Sequence, residues 1–215
     1  MKGKVSKNKF LKVVLPALLV VAIICQAVGF QAVLAKGNVA TTSSDSISNL
    51  TDQQLQALTN PILQSYKADS SHKVWKMTND SRLAVLANQT NIENARLQEV
   101  VKLVNSEFVE KEIISSPLAM VYAQEKDVSY GDILIDIDQT SSITSSSNSK
   151  EAYKITIGEN GVRLTGASEN AIMHGLRTIQ NLIITNDGLV YGEIVDYPNV
   201  AERRVHVDCA RKYIS

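Results

Sequence analysis

The chain has 215 residues, with 22 Lys+Arg against 22 Asp+Glu, a formal net charge of zero and two cysteines, Cys25 and Cys209. Five of the lysines stand within the first twelve residues, so the rest of the chain is net acidic and offers no basic block to track phosphates, which excludes nucleic acid as a partner. The three histidines, His72, His174 and His206, are scattered without ligand spacing, and neither a metal nor another cofactor is expected.

Lys2, Lys4, Lys7, Lys9 and Lys12 precede an uncharged apolar run from Val13 to Cys25 and a weaker stretch to Leu34. Val33 and Ala35 fit the small positions that signal peptidase reads, so residues 1–35 form a signal peptide cut after Ala35, and the product is secreted or displayed at the cell surface. An uncleaved anchor is the alternative, since Val13 to Leu34 could span a hydrocarbon core of roughly 30 Å; membrane contact would then run only through this leader. Pro16, Gln26, Gly29 and Gln31 weigh against it, and Ile24 stands where a lipidated Cys25 would need a small neighbour. Cleavage leaves Cys209 as the only thiol, so burial rather than a disulfide must hold the product together. About 180 residues then remain, enough for one domain and extra segments but not for a complete (β/α)8 barrel as well.

Residues 36–72 read as a Ser/Thr-rich linker with a short helix. Lys36 to Asn49 has almost nothing to bury and is expected to be solvated and disordered. In Leu50 to Tyr66, Leu55, Leu58, Ile62 and Leu63 keep near-helical spacing behind Thr51 as a cap, until Pro61 interrupts. From Lys73 the pattern is that of a mixed domain. Arg82 to Leu86 reads as a strand, and Asn91 as the cap of a long helix whose Ile92, Ala95, Leu97, Val100, Val101, Val104 and Phe108 recur every three or four residues. Its Glu93, Arg96, Glu99, Lys102 and Glu107 read as a solvated face.

Leu118 to Ala123 and Asp132 to Ile137 are two further apolar strands around the charged turn Gln124 to Gly131. Asp136 and Asp138 share a side of the second, a pattern able to bind a metal or share a proton; with no third ligand nearby, a strand end running into the Ser-rich loop Gln139 to Lys150 is the favoured reading. Glu151 to Ile157 and Gly161 to Gly166 alternate around Gly158-Glu159-Asn160-Gly161, a hairpin whose Asn160-Gly161 supplies positive backbone angles. Ser168 then caps an amphipathic helix, Glu169 to Ile183, with Ala171, Ile172, Gly175, Leu176, Ile179 and Leu182 on one stripe. Gly175 in mid-helix costs about 1 kcal/mol against alanine, which points to close approach of helix and sheet. Asn186-Asp187-Gly188 turns the chain into Leu189 to Val195. The sum is an α+β layer structure, an open sheet with two helices packed on one face. Asn49, Asn79 and Asn88 open Asn-x-Ser/Thr triplets, which matter only in a host that glycosylates exported proteins.

At the end of the sequence, Val205, Val207 and Cys209 alternate with His206 and Asp208, the period of a pleated strand, with Asp208 and Arg211 as charges at its carboxyl end. Taken alone, these two read as an ordinary salt bridge at a strand end.

Two stretches resemble one family. Glu151 to Ile155, Gly161 to Leu164 and Ala167-Ser168-Glu169-Asn170-Ala171-Ile172-Met173-His174-Gly175-Leu176-Arg177-Thr178-Ile179-Gln180-Asn181-Leu182 resemble the zincin-like accessory domain that precedes the barrel of family 20 glycoside hydrolases, the β-N-acetylhexosaminidases. Ile194-Val195-Asp196-Tyr197-Pro198 with Arg203 to Tyr213 is similar to the first barrel strand of that family. The resemblance implies an accessory domain over residues 73–197 and the start of a (β/α)8 barrel over 198–215. It also implies removal of terminal N-acetylglucosamine or N-acetylgalactosamine from glycans by substrate-assisted, retaining hydrolysis, in which the acetamido oxygen attacks the anomeric carbon, an Asp orients it and the adjacent Glu protonates the leaving oxygen.

In the resembled family an arginine at the position of Arg211 donates to hydroxyls of the terminal sugar, and a guanidinium with five donors in a fixed fork suits two neighbouring hydroxyls. Asp208 would set its orientation. The expected partner is an N-acetylhexosamine-containing glycan. This sequence departs from the family pattern at Lys212, usually histidine, at Val205, usually glycine or alanine, and at His174, often aromatic. No Asp-Glu dipeptide occurs in it and Trp75 is its only tryptophan, so no catalytic residue is assigned and these 215 residues alone are expected to be inactive. The hairpin and helix also occur beside other glycosidase barrels. The alternatives are therefore an accessory domain of another glycosidase family, or a secreted carbohydrate-binding or interaction module without catalysis.

Overall fold

A computed structural model describes residues 47–138, 143 and 149–200. The expected leader, most of the expected disordered stretch Lys36 to Asn49 and the expected strand Val205 to Cys209 lie outside them.

Seven strands form one mixed sheet: β1 (Ser65–Ala68), β3 (Arg82–Leu86), β4 (Ala119–Ala123), β5 (Ile133–Ile137), β6 (Tyr153–Gly158), β7 (Gly161–Gly166) and β9 (Gly192–Asp196). Their order is β1-β9-β6-β7-β5-β3-β4. β3, β4, β5 and β7 run parallel to their neighbours among themselves, whereas β6–β7, β6–β9 and β1–β9 are antiparallel. Two short strands, β2 (Val74–Trp75) and β8 (Leu189–Val190), pair separately. The helices are α1 (Asp52–Gln56), α2 (Gln89–Ile92), α3 (Ala95–Glu110) and α4 (Glu169–Asn186).

Alternation decides which residues meet the helices. Leu83 and Val85, Ile133, Ile135 and Ile137, Tyr153, Ile155 and Ile157, Val162 and Leu164, and Ile194 join the buried stripes of α3 and α4 in one cluster. Among the described residues the opposite side of the sheet holds a small satellite of Ala84, Ala123 and Leu134. The expected α+β layer therefore forms, with both long helices against one face. It is wider than the sequence suggests: Ser65–Ala68, at and beyond the end of the near-helical stretch that Pro61 interrupts and not expected as a strand, pairs with β9, and Ile47, near the end of the expected disordered linker, is buried in the main core. The helix in that region is only α1, closed by a reciprocal box between Thr51 and Gln54.

Asn91 is not the cap of the long helix. Asn94 fills that role, its Oδ1 accepting from Leu97 N–H at 2.9 Å, while the separate turn α2 is capped by Asn88. Asn91 is fully buried; its Nδ2 donates to Leu86 O at 3.1 Å and to Asp136 Oδ1 at 3.0 Å, and its Oδ1 accepts from Ile137 N–H. Three asparagines spaced three apart offer three possible caps, and packing selects between them. Glu107 also leaves the solvated face assigned to it: Arg177 of α4 donates to it at 2.6 Å and 3.2 Å, tying the helices together and holding its carboxyl below the usual range.

α4 starts at Ser168 as expected, but runs three residues further than Ile183 before Asp187 takes a left-handed φ of 58°. A Cβ on Gly175 would sit 2.3 Å from Leu164 Cδ1 and 3.2 Å from Tyr153 Cδ2, the close approach that the glycine implied. In the hairpin, Gly158 pairs with Gly161, and of Asn160 and Gly161 only the glycine takes a positive φ, 91°.

Candidate functional site

The two residues singled out for sugar contact, Arg211 and its companion Asp208, lie outside the described residues. What the structure describes is the end of β9 from which the chain runs toward them, and a set of side chains that fixes it. Tyr153 on β6 stands opposite Asp196, the last residue of β9, and its hydroxyl donates to Asp196 Oδ2 at 2.8 Å while meeting Thr178 Oγ1 of α4 at 2.6 Å. Burial pushes the Tyr153 hydroxyl well up, and the charge of Asp196 adds to this, so it remains a protonated donor. Asp196 Oδ1 accepts from Gln64 N–H at 3.2 Å, and Gln64 Nε2 donates to Tyr197 O at 3.4 Å and to Asn199 Oδ1 at 2.9 Å. Sheet, helix and the segment before β1 thus converge on the exit of the chain. Sequence reasoning missed this arrangement, because Gln64 and Asp196 are 132 positions apart and no local pattern joins them.

Asp136 and Asp138 do not form a metal centre with a third ligand. Asp136 is largely buried and accepts from Asn88 Nδ2 at 3.2 Å, Asn91 Nδ2 at 3.0 Å and Arg163 at 3.3 Å, while Arg163 also holds Glu125. These donors satisfy the carboxylate and join α2, β5 and β7. Among the described residues no group of three His, Cys, Asp or Glu side chains lies within reach of a common ion. Asp132, at the entry to β5, is likewise structural: burial pushes its carboxyl up, but Arg82, at 2.9 Å and 2.5 Å, and Ser129 N–H outweigh this and hold it below the usual range. A shallow polar hollow beside α2 is lined by Gln89, Thr90, Glu93, Asn94 and Ala95, with Asn94 also donating to Glu169 at 2.6 Å. None of these clusters pairs a nucleophile with a base.

The architecture and its helix-bearing face agree with a family comparison. The family model described as "Glycosyl hydrolase family 20, domain 2" matches residues 56–197, more than half of the chain. The chain belongs to glycosyl hydrolase family 20.

Among solved family 20 structures, the chitobiase of Flavobacterium johnsoniae aligns with a TM-score of 0.55 at 15% identity, covering 75% of this chain and 23% of that one. The N-acetyl-β-hexosaminidase of Streptomyces plicatus, solved with Thio-NAglucal, gives a TM-score of 0.49 at 15% identity over 71% of this chain and 28% of its own. The exo β-N-acetylglucosaminidase of Vibrio harveyi, solved with N-acetylglucosamine, gives 0.47 at 15% identity over 69% and 20%. At this identity the likeness is one of fold, and the chain spans about a quarter of the length of these structures. No curated protein matches its sequence. The family match begins at residue 56, ahead of β1, so it takes in the edge strand that the sequence left out.

Proposed function

We propose that this family 20 chain belongs to an exported β-N-acetylhexosaminidase that removes terminal N-acetylglucosamine or N-acetylgalactosamine from glycans by substrate-assisted, retaining hydrolysis. In this reading residues 1–35 are the leader, 73–197 the core of the accessory domain and 198–215 the start of the barrel. The observation that carries it is the family match over 56–197, which ends one residue past Asp196, where the Tyr153 and Gln64 contacts fix the direction of the outgoing chain.

Arg211 then grips sugar hydroxyls with its guanidinium fork, and Asp208 orients it. The acetamido oxygen of the substrate attacks the anomeric carbon, and the proton for the leaving oxygen comes from the Glu of an Asp-Glu pair. These 215 residues contain no such pair, so the accessory domain supplies a scaffold and no proton donor.

The test compares the 215-residue chain with the same chain extended along its downstream reading frame, both offered an aryl N-acetyl-β-glucosaminide. The shorter chain is expected to release no phenol and the extended one to turn over. Arg211→Ala in the extended protein is expected to lower kcat/KM at least tenfold, since hydrogen bonds to a charged group are worth ~1.5–3 kcal/mol each. Turnover by the 215 residues alone overturns the reading. Chitin-oligosaccharide binding by this chain, with no barrel encoded downstream, replaces hydrolysis by a non-catalytic binding role.

A further inference from the structure

Gln64 immediately precedes β1 and continues its register: Ser65 pairs with Val195, which puts Gln64 opposite Asp196. Its backbone has little freedom, because Leu63 before it and Tyr66 after it are buried in the main core, and Leu63 N–H donates to Gln56 O at 3.2 Å. The side chain then reaches along the outgoing chain. Its Nε2 donates to Asn199 Oδ1 at 2.9 Å and, over a longer 3.4 Å, to Tyr197 O, a carbonyl that can only accept, while the backbone N–H holds Asp196. One residue thus grips Asp196, Tyr197 and Asn199, and Pro198 among them has its φ locked by its own ring.

These bonds are poorly placed to stabilise the fold. Gln64 is half-buried and Asn199 exposed, so water competes for the same groups, and substitutions at such sites change stability little. They are well placed to fix a direction. The strand expected to carry Asp208 and Arg211 starts at Val205, so only residues 200–204 separate it from the last position that Gln64 holds. A connection that short limits where the next element can begin.

We propose that Gln64 is a positioning residue for sugar binding: by holding Tyr197 and Asn199 it sets where the next strand starts, and through that strand where the Arg211 guanidinium meets the sugar hydroxyls. This role rests on the hexosaminidase reading, in which Arg211 binds sugar, and adds to it a contribution from the accessory domain. The hydroxyls that Arg211 grips are present in substrate and transition state alike, so a misplaced guanidinium weakens the binding of both. The loss then falls on KM rather than on kcat.

The test uses the chain extended along its downstream reading frame, with an aryl N-acetyl-β-glucosaminide as substrate and N-acetylglucosamine as competitive inhibitor. Gln64→Ala is expected to raise KM and the inhibition constant together by about two- to tenfold, the range that a hydrogen bond between neutral groups supplies, with kcat and the urea midpoint unchanged. Gln98→Ala removes a similar amide-to-carbonyl bond, 3.2 Å to Ile92 O, and is expected to change none of these. In an Arg211→Ala background Gln64→Ala is expected to have no further effect, since the side chain it positions is gone. An extended chain without turnover overturns the hexosaminidase reading and this role with it. The positioning role alone is overturned if turnover is unchanged by Gln64→Ala, if the loss falls on kcat or follows a fall in the urea midpoint, or if the effects of Gln64→Ala and Arg211→Ala simply add.

Discussion

On strand β7, Leu164 is fully buried against α4, while its neighbours Arg163 and Thr165 face the other way and are only half-buried. The same contrast runs across the sheet. On the helix side, β6 presents Tyr153, Ile155 and Ile157, all buried; on the open side it presents Lys154, which pairs with Glu193 of β9 at 2.6 Å. One face is specified by shape, to the point that α4 needs a glycine where it meets Leu164. The other carries a small apolar satellite, a buried carboxylate at Asp136 and, toward β9, the half-exposed pair Lys154–Glu193 that water largely screens. Interiors are close-packed and surface ion pairs are worth little, so the two faces should respond to mutation on different scales.

The largest difference is expected between adjacent residues of one strand. Leu164→Ala removes a fully buried side chain from the main cluster and is expected to cost about 2–5 kcal/mol, whereas Thr165→Ala on the open face stays within about 0.5 kcal/mol. Urea unfolding of both variants checks this, and equal losses would mean that the faces are not distinct.

Gly175 sharpens the comparison. Gly175→Ala gains helix propensity of about 1 kcal/mol but forces a Cβ into Leu164, an overpacking that costs about 1–3 kcal/mol. A net loss of up to about 2 kcal/mol is expected in the parent chain. In a Leu164→Ala background the new methyl group enters the space just emptied, and the same substitution is expected to become stabilising. A double-mutant cycle measures this coupling, and additivity would show that the contact is not the reason for the glycine.

The same division explains what was legible in the sequence. The hairpin Tyr153–Gly166 and helix α4 declare themselves because their determinants are local: strict alternation, a Gly-x-x-Gly turn, Ser168 three residues before Ala171. Strands β1, β2 and β8 do not, since each has four residues or fewer and exists only through a distant partner; Ser65–Ala68 needs β9 to be a strand at all. Asn91 was misassigned because capping chemistry is the same at Asn88, Asn91 and Asn94, and only the buried carboxylate of Asp136, 45 positions later, claims the middle one. At the candidate site, Asp208 and Arg211 stood out through family resemblance rather than through pattern. The Tyr153–Asp196–Gln64 contacts depend on sheet order, which no local signal encodes.

The smallest effect belongs to the open face and separates the two by salt. Lys154 and Glu193 are 38% and 44% exposed, so their attraction acts largely through water and their pairing must offset the ordering of two long side chains. A cycle of Lys154→Ala and Glu193→Ala is expected to give a coupling of about 0.2–1 kcal/mol at low ionic strength. Raising salt from about 0.1 M to 1 M shortens the screening length from about 10 Å to 3 Å and is expected to reduce that coupling toward zero. The Leu164→Ala deficit comes from lost contacts and an unfilled space rather than from charge, so it should persist over the same salt range. A Lys154–Glu193 coupling that survived high salt undiminished would show the pair to be shielded from solvent, and the open face would then need a covering partner that the described residues do not provide.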